Sequence, residues 1–432
     1  KIANSLVGWL PGGLAIATVF ACIFFAAMSG SSPVTVIAIG GMMYPALLKE
    51  RYNSRFSIGL LTSAGSLGIL IPPSIPMIIY GIVVTGRQAI NIEDVYLAGL
   101  GPGLVLGLML MIYSFITGVR GKFNTQPFSI KALLVSLRDG IWALFLPIII
   151  LGGIYTGIFT PTEAAAVSVI YAFVVEVFIH QGMKLSDIPN IIYDSTVMIG
   201  GLLIIMVLAF GLNDFLVEIQ LPEQAVELIK SYNLSTVGFL LLVNILLLVV
   251  GLVMDIFSAI LILSGLLAPI AFSLGIDPIH MGIITIVNLE IGYLTPPFGL
   301  NLFVSSSLFQ KGYIEVVKST LPFVGIMVIG LMLITYVPTV SMGLVNLTKG
   351  KSFYVPFPEQ RDLSKDDSSQ KSKQTLEDLM KMTEEDDEDW DEDDDEGSEE
   401  SSEKATMDDM MKDVMDEVES EEEEDDDDPQ TM

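Results

Sequence analysis

The stretch Gly68-Ile-Leu-Ile-Pro-Pro73 is matched 224 positions later by Gly292-Tyr-Leu-Thr-Pro-Pro297. Both copies follow the pattern Gly-x-Leu-x-Pro-Pro, and both interrupt an apolar stretch. Each proline pair lacks two backbone N–H donors, so carbonyl groups one turn upstream lose their helical partners. Each glycine allows the backbone to turn and to approach a neighbour closely. The two stretches therefore predict two helices that are broken part-way along.

The same offset relates residues well outside these stretches. Polar residues interrupt the apolar chain at 29–32, and Asp255 does so at the corresponding stretch 253–256. Glycine and proline also recur in register, as Gly41 with Gly265 and Pro45 with Pro269. We predict an internal repeat whose halves span about 9–118 and 233–342. Two unrelated proline-kinked helices are the alternative.

Long apolar runs recur along residues 1–348. A helix needs about 20 apolar residues to cross a bilayer, and the chain is 51% hydrophobic. The runs near that length are too many for one soluble core: 141–158, 164–179, 196–212, 237–253 and 321–337. We predict an all-α polytopic membrane protein whose transporter domain, embedded in the lipid bilayer, covers 1–348. The mixed-polarity segment Leu185–Tyr193 is expected to form a separate amphipathic helix in the membrane interface, with a plain loop as the alternative.

The net charge of −29 is concentrated at the C-terminus. Residues 359–432 hold 35 of the 51 acidic residues but only 7 of the 22 Lys and Arg residues. So little apolar surface cannot offset the entropy of ordering the chain. We therefore predict that 349–432 is a disordered acidic tail, and that the low isoelectric point is a property of this tail alone.

Each half is predicted to begin with a re-entrant helical hairpin that enters the membrane and returns to the same side. Backbone without helical partners is tolerated in lipid only where protein or an ion satisfies it. A two-fold axis in the membrane plane requires the two hairpins to open to opposite sides. In the first half the arms are 9–28 and 33–48, and the tip is 29–32. In the second half the arms are 240–252 and 257–272, and the tip is 253–256.

The first hairpin tip carries the small polar residues that suit Na⁺. Hydroxyl groups and the flexible glycine come from five positions: Ser29, Gly30, Ser31, Ser32 and Thr35. Small residues that let helices pack closely are the alternative explanation. Asp255, opposite this tip in the repeat, is an acid in an apolar stretch and a functional candidate by default. It is equally well explained as the N-cap of the following helix.

The two broken helices supply the other candidate ligands. Carbonyl groups without a helical hydrogen-bond partner are expected around Gly68, Pro72 and Pro73, and again around Gly292 and Pro296. Four polar residues flank the second break: Asn288, Glu290, Thr295 and Asn301. Thr295 is the best ion ligand among them, because it directly precedes the proline pair. Glu290 is either a proton or ion site or a group that faces a water-filled vestibule.

Other chemistry-bearing patterns are sparse. The chain has one cysteine, Cys22, and two histidines, His180 and His280, so neither a disulfide framework nor a His/Cys metal centre is expected. A nucleophile with a paired base is not apparent, and an enzyme is therefore not expected. The run Thr160-Pro-Thr-Glu163 is typical of a helix start and favours a structural cap.

Taken together, these motifs resemble the large membrane subunit of tripartite ATP-independent periplasmic (TRAP) transporters, within the ion-transporter superfamily. The matching stretches follow the order of that family and cover most of residues 1–345. They are Leu10-Pro-Gly-Gly-Leu-Ala, Ser29-Gly-Ser-Ser, Gly68-Ile-Leu-Ile-Pro-Pro-Ser74, Thr160-Pro-Thr-Glu-Ala-Ala-Ala166, Gly251-Leu-Val-Met-Asp255 and Gly292-Tyr-Leu-Thr-Pro-Pro-Phe-Gly299.

The resemblance implies an importer of organic acids (C4-dicarboxylates or sialic-acid-like carboxylates) in the bacterial inner membrane, coupled to Na⁺ and working by an elevator movement. It implies two partners, a small four-helix membrane subunit and a periplasmic substrate-binding protein, and neither a cofactor nor a nucleic acid. Sodium would be held by Ser31, Thr295 and the carbonyl groups near Gly68 and Gly292. A stand-alone dicarboxylate or anion symporter of the same superfamily is the alternative. Family members have further helices before the Leu-Pro-Gly-Gly stretch, so we expect the chain to be N-terminally incomplete.

Overall fold

The computed structural model describes residues 2–85, 90–121, 129–219 and 235–358, together with Gln224, and every regular element in these ranges is helical. The α-helices, in chain order, are α1 (Ile2–Val7), α2 (Gly13–Ser29), α3 (Ser32–Lys49), α4 (Ser54–Ser66), α5 (Ile75–Thr85), α6 (Ile92–Gly121), α7 (Ile130–Asp139), α8 (Ile141–Tyr155), α9 (Pro161–Val174), α10 (Ile188–Glu218), α11 (Thr236–Gly251), α12 (Ile256–Ser273), α13 (Pro278–Gly292), α14 (Leu300–Phe309), α15 (Tyr313–Tyr336) and α16 (Thr339–Thr348).

Several of these helices are long and apolar enough to cross a membrane. In the described part of the chain they are α3, α6, α12, α15 and α9 with its π-helical extension Val175–Ile179. Shorter apolar helices, among them α2, α11 and α13, accompany them. The predicted class, an all-α polytopic membrane protein, is confirmed.

The predicted repeat is present in the helices themselves. Helices α2–α6 correspond to α11–α15, because α3 and α12 begin at Ser32 and Ile256 and end at Lys49 and Ser273, an offset of 224 at both ends. Helices α4 and α13 also begin at that offset. Each half therefore consists of a helical hairpin, a broken helix and a long closing helix, as the inverted-repeat prediction requires.

The centre of the molecule is formed by the two helices that precede the breaks. Every residue of α13 is buried, and so is α4 from Ser57 to Ser66. The core around them includes fully buried Leu60, Leu61 and Leu67. Because these helices lie inside, the breaks that follow them start in the interior of the protein.

The helices between the two halves are much more exposed. Leu208 on α10 is 70% exposed and Val169 on α9 is 68% exposed. The separate interfacial helix predicted at Leu185–Tyr193 is wrong. A 3₁₀ turn covers Leu185–Asp187, and α10 then runs unbroken from Ile188 to Glu218. Pro189 stands in the first turn, where proline favours rather than interrupts a helix.

The C-terminal end of the described chain follows α16, which ends at Thr348. Residues 349–358 continue without regular structure. Within the predicted tail, 349–432, these residues contact the helices: Lys349 pairs with Asp94 at 2.6 Å, and the N–H of Val355 donates to the hydroxyl of Thr339 at 3.0 Å. From Glu359 onward the predicted tail lies outside the described residues, so its disorder stays a prediction.

Candidate functional site: two hairpin tips and two broken helices

The first hairpin tip is a two-residue turn between α2 and α3. Gly30 ends α2 in the left-handed region, with φ +57°, and its N–H donates to the carbonyl of Ala26. Ser31 is extended, and α3 then begins at Ser32 with Pro33 in its first turn. Glycine suits the first position because other residues are strained there. The polar interruption at 29–32 therefore forms the predicted tip.

Most polar groups of this tip are used to hold it together. The hydroxyl oxygens of Ser29 and Thr35 lie 2.9 Å apart, and Thr35 donates to the carbonyl of Ser31 at 2.8 Å. The side-chain amide of Asn301 donates to the hydroxyl of buried Ser32. The half-buried hydroxyl of Ser31 has no hydrogen-bond partner among the described residues. Ser31 is therefore the tip hydroxyl most available to a ligand.

The first tip lies directly against the first break. A Cβ on Gly68 would lie 2.7 Å from the carbonyl oxygen of Ser31 and 2.8 Å from Oγ1 of Thr35. A Cβ on Gly30 would lie 2.7 Å from the carbonyl oxygen of Pro73. Only glycine fits at these distances, because the atoms met are mostly backbone. The two glycines singled out by the sequence thus make the contact between tip and break possible.

The first break extends from the end of α4 to the start of α5. A 3₁₀ turn covers Leu67–Ile69, the Pro72–Pro73 peptide bond is cis, and α5 begins at Ile75. The hydroxyl of Ser74 donates to the carbonyl of Ile69 at 2.5 Å. Proline and glycine therefore end this helix where the sequence predicts a break.

In the second tip, Asp255 is the N-cap of α12. Its Oδ2 accepts from the N–H groups of Phe257 and Ser258, each at 3.0 Å, and its Oδ1 accepts from the hydroxyl of Ser258 at 2.5 Å. The capping interpretation is therefore confirmed. The side chain is exposed in this chain, so the cap leaves the carboxylate accessible, and an ion or substrate role for it stays a prediction.

The second break runs from the end of α13 to the start of α14 at Leu300 and includes a cis Pro296–Pro297 bond. A Cβ on Gly292 would lie 2.6 Å from backbone atoms of Gly251 at the end of α11. The hydroxyl of Tyr293 accepts from the N–H of Ile256 at 3.0 Å. The second tip thus lies against the second break, as the first tip does against the first.

Thr295 in this second break retains capacity to bind a cation. Its hydroxyl donates to the carbonyl of Ile291 at 2.8 Å. A hydroxyl that donates its one hydrogen keeps its lone pairs for an acceptor role. The side chain is half-buried, and the neighbouring Pro296 is exposed. The hydroxyl oxygen of Thr295 therefore remains free to accept, and its role as an ion ligand stays a prediction.

Side-chain hydrogen bonds between described residues join the two halves at this site. Asn301, which follows the second break, reaches Ser32 in the first tip. The hydroxyl oxygens of Thr62 and Ser305 lie 2.7 Å apart. The hydroxyl oxygen of Ser66, just before the first break, lies 2.8 Å from Oε1 of Glu290, just before the second. The first tip and both breaks therefore belong to one connected region.

Not every candidate residue belongs to this region by direct contact. The side-chain amide of Asn288 donates to Oδ1 of Asn244 at 2.7 Å and to the carbonyl of Ile284, and Asn244 in turn contacts Thr335. These contacts lead away from the tips, although the buried Oδ1 of Asn288 has no partner among the described residues. The described contacts also do not join Asp255 to the first tip.

The sequence reasoning missed the partners of these residues. Thr62 and Ser305 are ordinary small polar residues in apolar helices, and neither composition nor spacing singles them out. One signal was available for Ser66, because the repeat offset of 224 sets it opposite Glu290. Among the described residues, no three His, Cys, Asp or Glu side chains are grouped so as to hold a metal ion.

Comparison with protein families gives one match that covers most of the chain. Residues 1–340 match the DctM component of the tripartite ATP-independent periplasmic transporter family. The chain is 42% identical to the C4-dicarboxylate TRAP transporter large permease protein DctM of Vibrio cholerae, over 81% of each chain. It is 43% identical to the protein of that name from Pseudomonas aeruginosa, over 80% of each.

More distant relatives have other substrates in their names. The chain is 36% identical to the ectoine/5-hydroxyectoine TRAP transporter large permease protein of Ruegeria pomeroyi, over 81% of each chain. Among solved structures, the YdaH transporter of Alcanivorax borkumensis aligns with a TM-score of 0.56 at 14% identity, covering 82% of this chain and 85% of that one. At this identity the likeness concerns the fold alone.

Proposed function

This chain belongs to the family of large permease components of TRAP transporters, an inner-membrane family, and on that premise we propose that it imports an organic acid together with Na⁺. A C4-dicarboxylate is the substrate class we favour. Three of the relatives, at 41–43% identity, have C4-dicarboxylate in their names, whereas the ectoine relatives are 34–36% identical.

One observation carries the proposal, namely the contact of each hairpin tip with its broken helix. Gly68 lies against Ser31, and Gly292 lies against Gly251. Broken helices at corresponding positions of two halves are how many secondary transporters form a mid-membrane site. Their free carbonyl groups suit a cation, and the N-termini of helices such as α3 and α12 favour an anion.

The proposed sodium ligands are hydroxyl and carbonyl oxygens. Ser31 offers a hydroxyl with no described partner, and Thr295 offers lone pairs because its hydrogen is already donated. Carbonyl groups near Gly68 and Gly292 complete the set. A bound Na⁺ would offset the charge of a substrate carboxylate in a site of low dielectric constant, where opposite charges attract strongly. This charge balance explains why cation and anion would move together.

We propose an elevator movement for the alternation between the two sides of the membrane. Equivalent residues of the two breaks have different environments, since Ser74 is fully buried whereas Phe298 is 63% exposed. In a transporter with inverted repeats, two halves of similar structure reach the two access states by exchanging such environments. The hairpins and broken helices would then move together against the long helices.

Two partners complete the proposed transporter. The family name describes a tripartite system, which favours a complex with a small membrane subunit and a periplasmic binding protein over the stand-alone symporter. The exposed apolar faces of α9 and α10 are suited to contact with an intramembrane partner or with lipid, since Ile170 is 65% exposed and Val207 is 67% exposed. Substrate selectivity would then rest partly with the binding protein.

Uptake by reconstituted vesicles tests this proposal. The chain is reconstituted with the small subunit, and a C4-dicarboxylate is supplied on its binding protein outside. An inward Na⁺ gradient should drive accumulation above equilibrium, whereas an equal K⁺ gradient should not. Accumulation that needs no Na⁺ would contradict the coupling. Uptake that is equally fast without the binding protein would favour the stand-alone symporter instead.

A further inference from the structure

A cavity of about 530 Å³ lies beside the last described residues of the chain. Its walls come from the start of α13, from α16 with the residue before it, and from residues 349–358, which we call the strap. The described residues that line it include none of the tips or breaks. Cavities that hold small organic molecules measure about 300–1,000 Å³ and are mostly apolar, with a few polar groups. The side chains in the lining therefore determine what this cavity can hold.

Much of the wall is apolar, and the strap that forms part of it is held in place. Met342 on α16 lines the cavity together with Val355 and Phe357 on the strap. The N–H of Val355 donates to the hydroxyl of Thr339, and that hydroxyl donates to the carbonyl of Val355, each at 3.0 Å. The ring centroids of Phe357 and Tyr336 lie 6.1 Å apart. The cavity therefore has a formed apolar wall that includes an aromatic ring.

Two polar side chains line the same cavity, Asp277 and Asn346. The carboxylate of Asp277 is fixed at the start of α13, because its Oδ1 accepts from the N–H of Ile279 at 2.8 Å. It forms no ion pair with a described residue. The side-chain amide of Asn346 is half-buried and has no hydrogen-bond partner in the described part of the chain. Carboxylate and amide oxygens both accept hydrogen bonds, so the pair suits a ligand that donates them.

The charges around the cavity favour a positive ligand. Lys349 and Asp94 are the charged groups that act on the Asp277 carboxylate, but Nζ of Lys349 lies 2.6 Å from Oδ2 of Asp94 and is paired there. These three groups together carry one net negative charge. Lys351, the other basic residue of the strap, is exposed, where solvent ions screen its charge. Both ring nitrogens of His280, which also lines the cavity, are already hydrogen-bonded.

We propose that this cavity binds a small organic ammonium ion, with the ammonium group at Asp277 and Asn346 and the apolar part against Met342 and Val355. Phe357 adds to the attraction, because the face of an aromatic ring attracts a cation within about 6 Å. An uncharged apolar molecule would gain only the wall contacts, and an inorganic cation only the polar ones. The proposal is independent of transport, since no residue of the proposed sodium site lines the cavity.

Calorimetric titration of the full-length protein at neutral pH, without Na⁺ or a dicarboxylate, tests this proposal. The probe is phenethylamine, which is protonated at that pH, and phenethyl alcohol is the uncharged analogue of similar size. We expect saturable binding of the amine and an affinity for the alcohol that is lower by about tenfold or more, as for loss of a hydrogen bond between charged groups. Equal affinities, or no saturable binding of the amine, would overturn the proposal.

Variants of the lining locate the site. Asp277→Asn keeps the N-cap of α13 but removes the charge, so its affinity for the amine should fall by about tenfold or more. Phe357→Leu keeps an apolar wall without an aromatic face and should weaken binding by about threefold, which provides a second test if Asp277→Asn does not fold. Asp187→Asn is the control, because this exposed acid is not in the lining, and it should bind the amine as the wild type does. Wild-type affinity in both Asp277→Asn and Phe357→Leu would show that the amine binds elsewhere and would overturn the assignment.

Discussion

The hydroxyl oxygen of Ser66 lies 2.8 Å from Oε1 of Glu290, and the two residues are 224 positions apart, the offset that relates the two repeats. Equivalent residues of two halves can touch only near the axis that relates those halves. The pseudo-two-fold axis therefore passes close to this contact, between the most buried helices, α4 and α13. A side chain after the second break, that of Asn301, also crosses between the halves to reach Ser32 in the first tip.

Gly292→Ala should destabilise the protein. The added Cβ would lie 2.6 Å from backbone atoms of Gly251, and a backbone cannot move aside as a flexible side chain can. We expect a loss of about 1–3 kcal/mol in unfolding free energy, typical of overpacking, measured as a lower midpoint of thermal unfolding. The control is Gly325→Ala on α15, where nothing lies within 4 Å and alanine favours the helix. Equal midpoints for the two variants would contradict the tight contact.

Asp277 should make stability depend on pH. Partial loss of hydration raises the pKa of this carboxyl above its usual value, although hydrogen bonds from the N–H groups of Ile279 and His280 and the charge of Lys349 oppose the rise. A raised folded-state pKa means that the folded protein holds the proton more tightly than the unfolded chain does. The resulting stabilisation is complete below the unfolded-state pKa and is lost as pH rises through the folded-state pKa.

The measurement is thermal unfolding across that acidic range in the wild type and in Asp277→Asn. Asparagine keeps the N-cap of α13 but cannot titrate, so the variant should lose less stability as pH rises. The remaining acidic groups are the same in both proteins and cancel in the comparison. Identical profiles for Asp277→Asn and the wild type would contradict the assignment.

The breaks and tips could be predicted from sequence because their causes are local. Proline and glycine interrupt a helix wherever they stand together, and the repeat made the second copy visible. The run beginning at Thr160 was also predictable as a cap. The N–H of Thr160 donates to Oε2 of Glu163 at 2.9 Å, and the N–H of Glu163 donates to the hydroxyl of Thr160 at 3.3 Å. Both hydrogen bonds of the capping box are therefore formed.

The contacts between the halves could not be predicted in the same way. Both Asn301 and Ser32 belong to local patterns that the sequence shows, but the approach of one to the other depends on how distant helices pack. The error at Leu185–Tyr193 has a different cause, since polarity alone suggested a separate segment. Pro189 is compatible with a helix start, and nothing after it ends the helix before Glu218. Local composition identified the polar residues but not their partners.

Asp255→Asn should separate the two roles considered for this residue. Asparagine is as good an N-cap as aspartate, whereas alanine costs about 1 kcal/mol. If the charge of Asp255 serves the ion or substrate, Asp255→Asn should keep the unfolding midpoint but lose Na⁺-driven uptake, and Asp255→Ala should lose both. Asp277→Asn is the matched cap control and should retain uptake. Full uptake by Asp255→Asn would leave the residue with its capping role alone.

Ser31→Ala combined with Thr295→Ala should abolish Na⁺-driven uptake, because the two changes remove one proposed sodium ligand from each half of the site. The single variant Ser31→Ala is the sharper test, because the hydroxyl of Ser31 has no hydrogen-bond partner among the described residues. Its unfolding free energy should change by no more than about 0.5 kcal/mol, while the Na⁺ concentration needed for half-maximal uptake rises.

Ser29→Ala is the structural control: it loses the 2.9 Å contact with Thr35 and should cost about 1 kcal/mol without changing the Na⁺ requirement. Thr295→Ser keeps the hydroxyl and should restore uptake relative to Thr295→Ala. If Ser31→Ala keeps the wild-type Na⁺ dependence, the ion does not bind at the first tip through this hydroxyl.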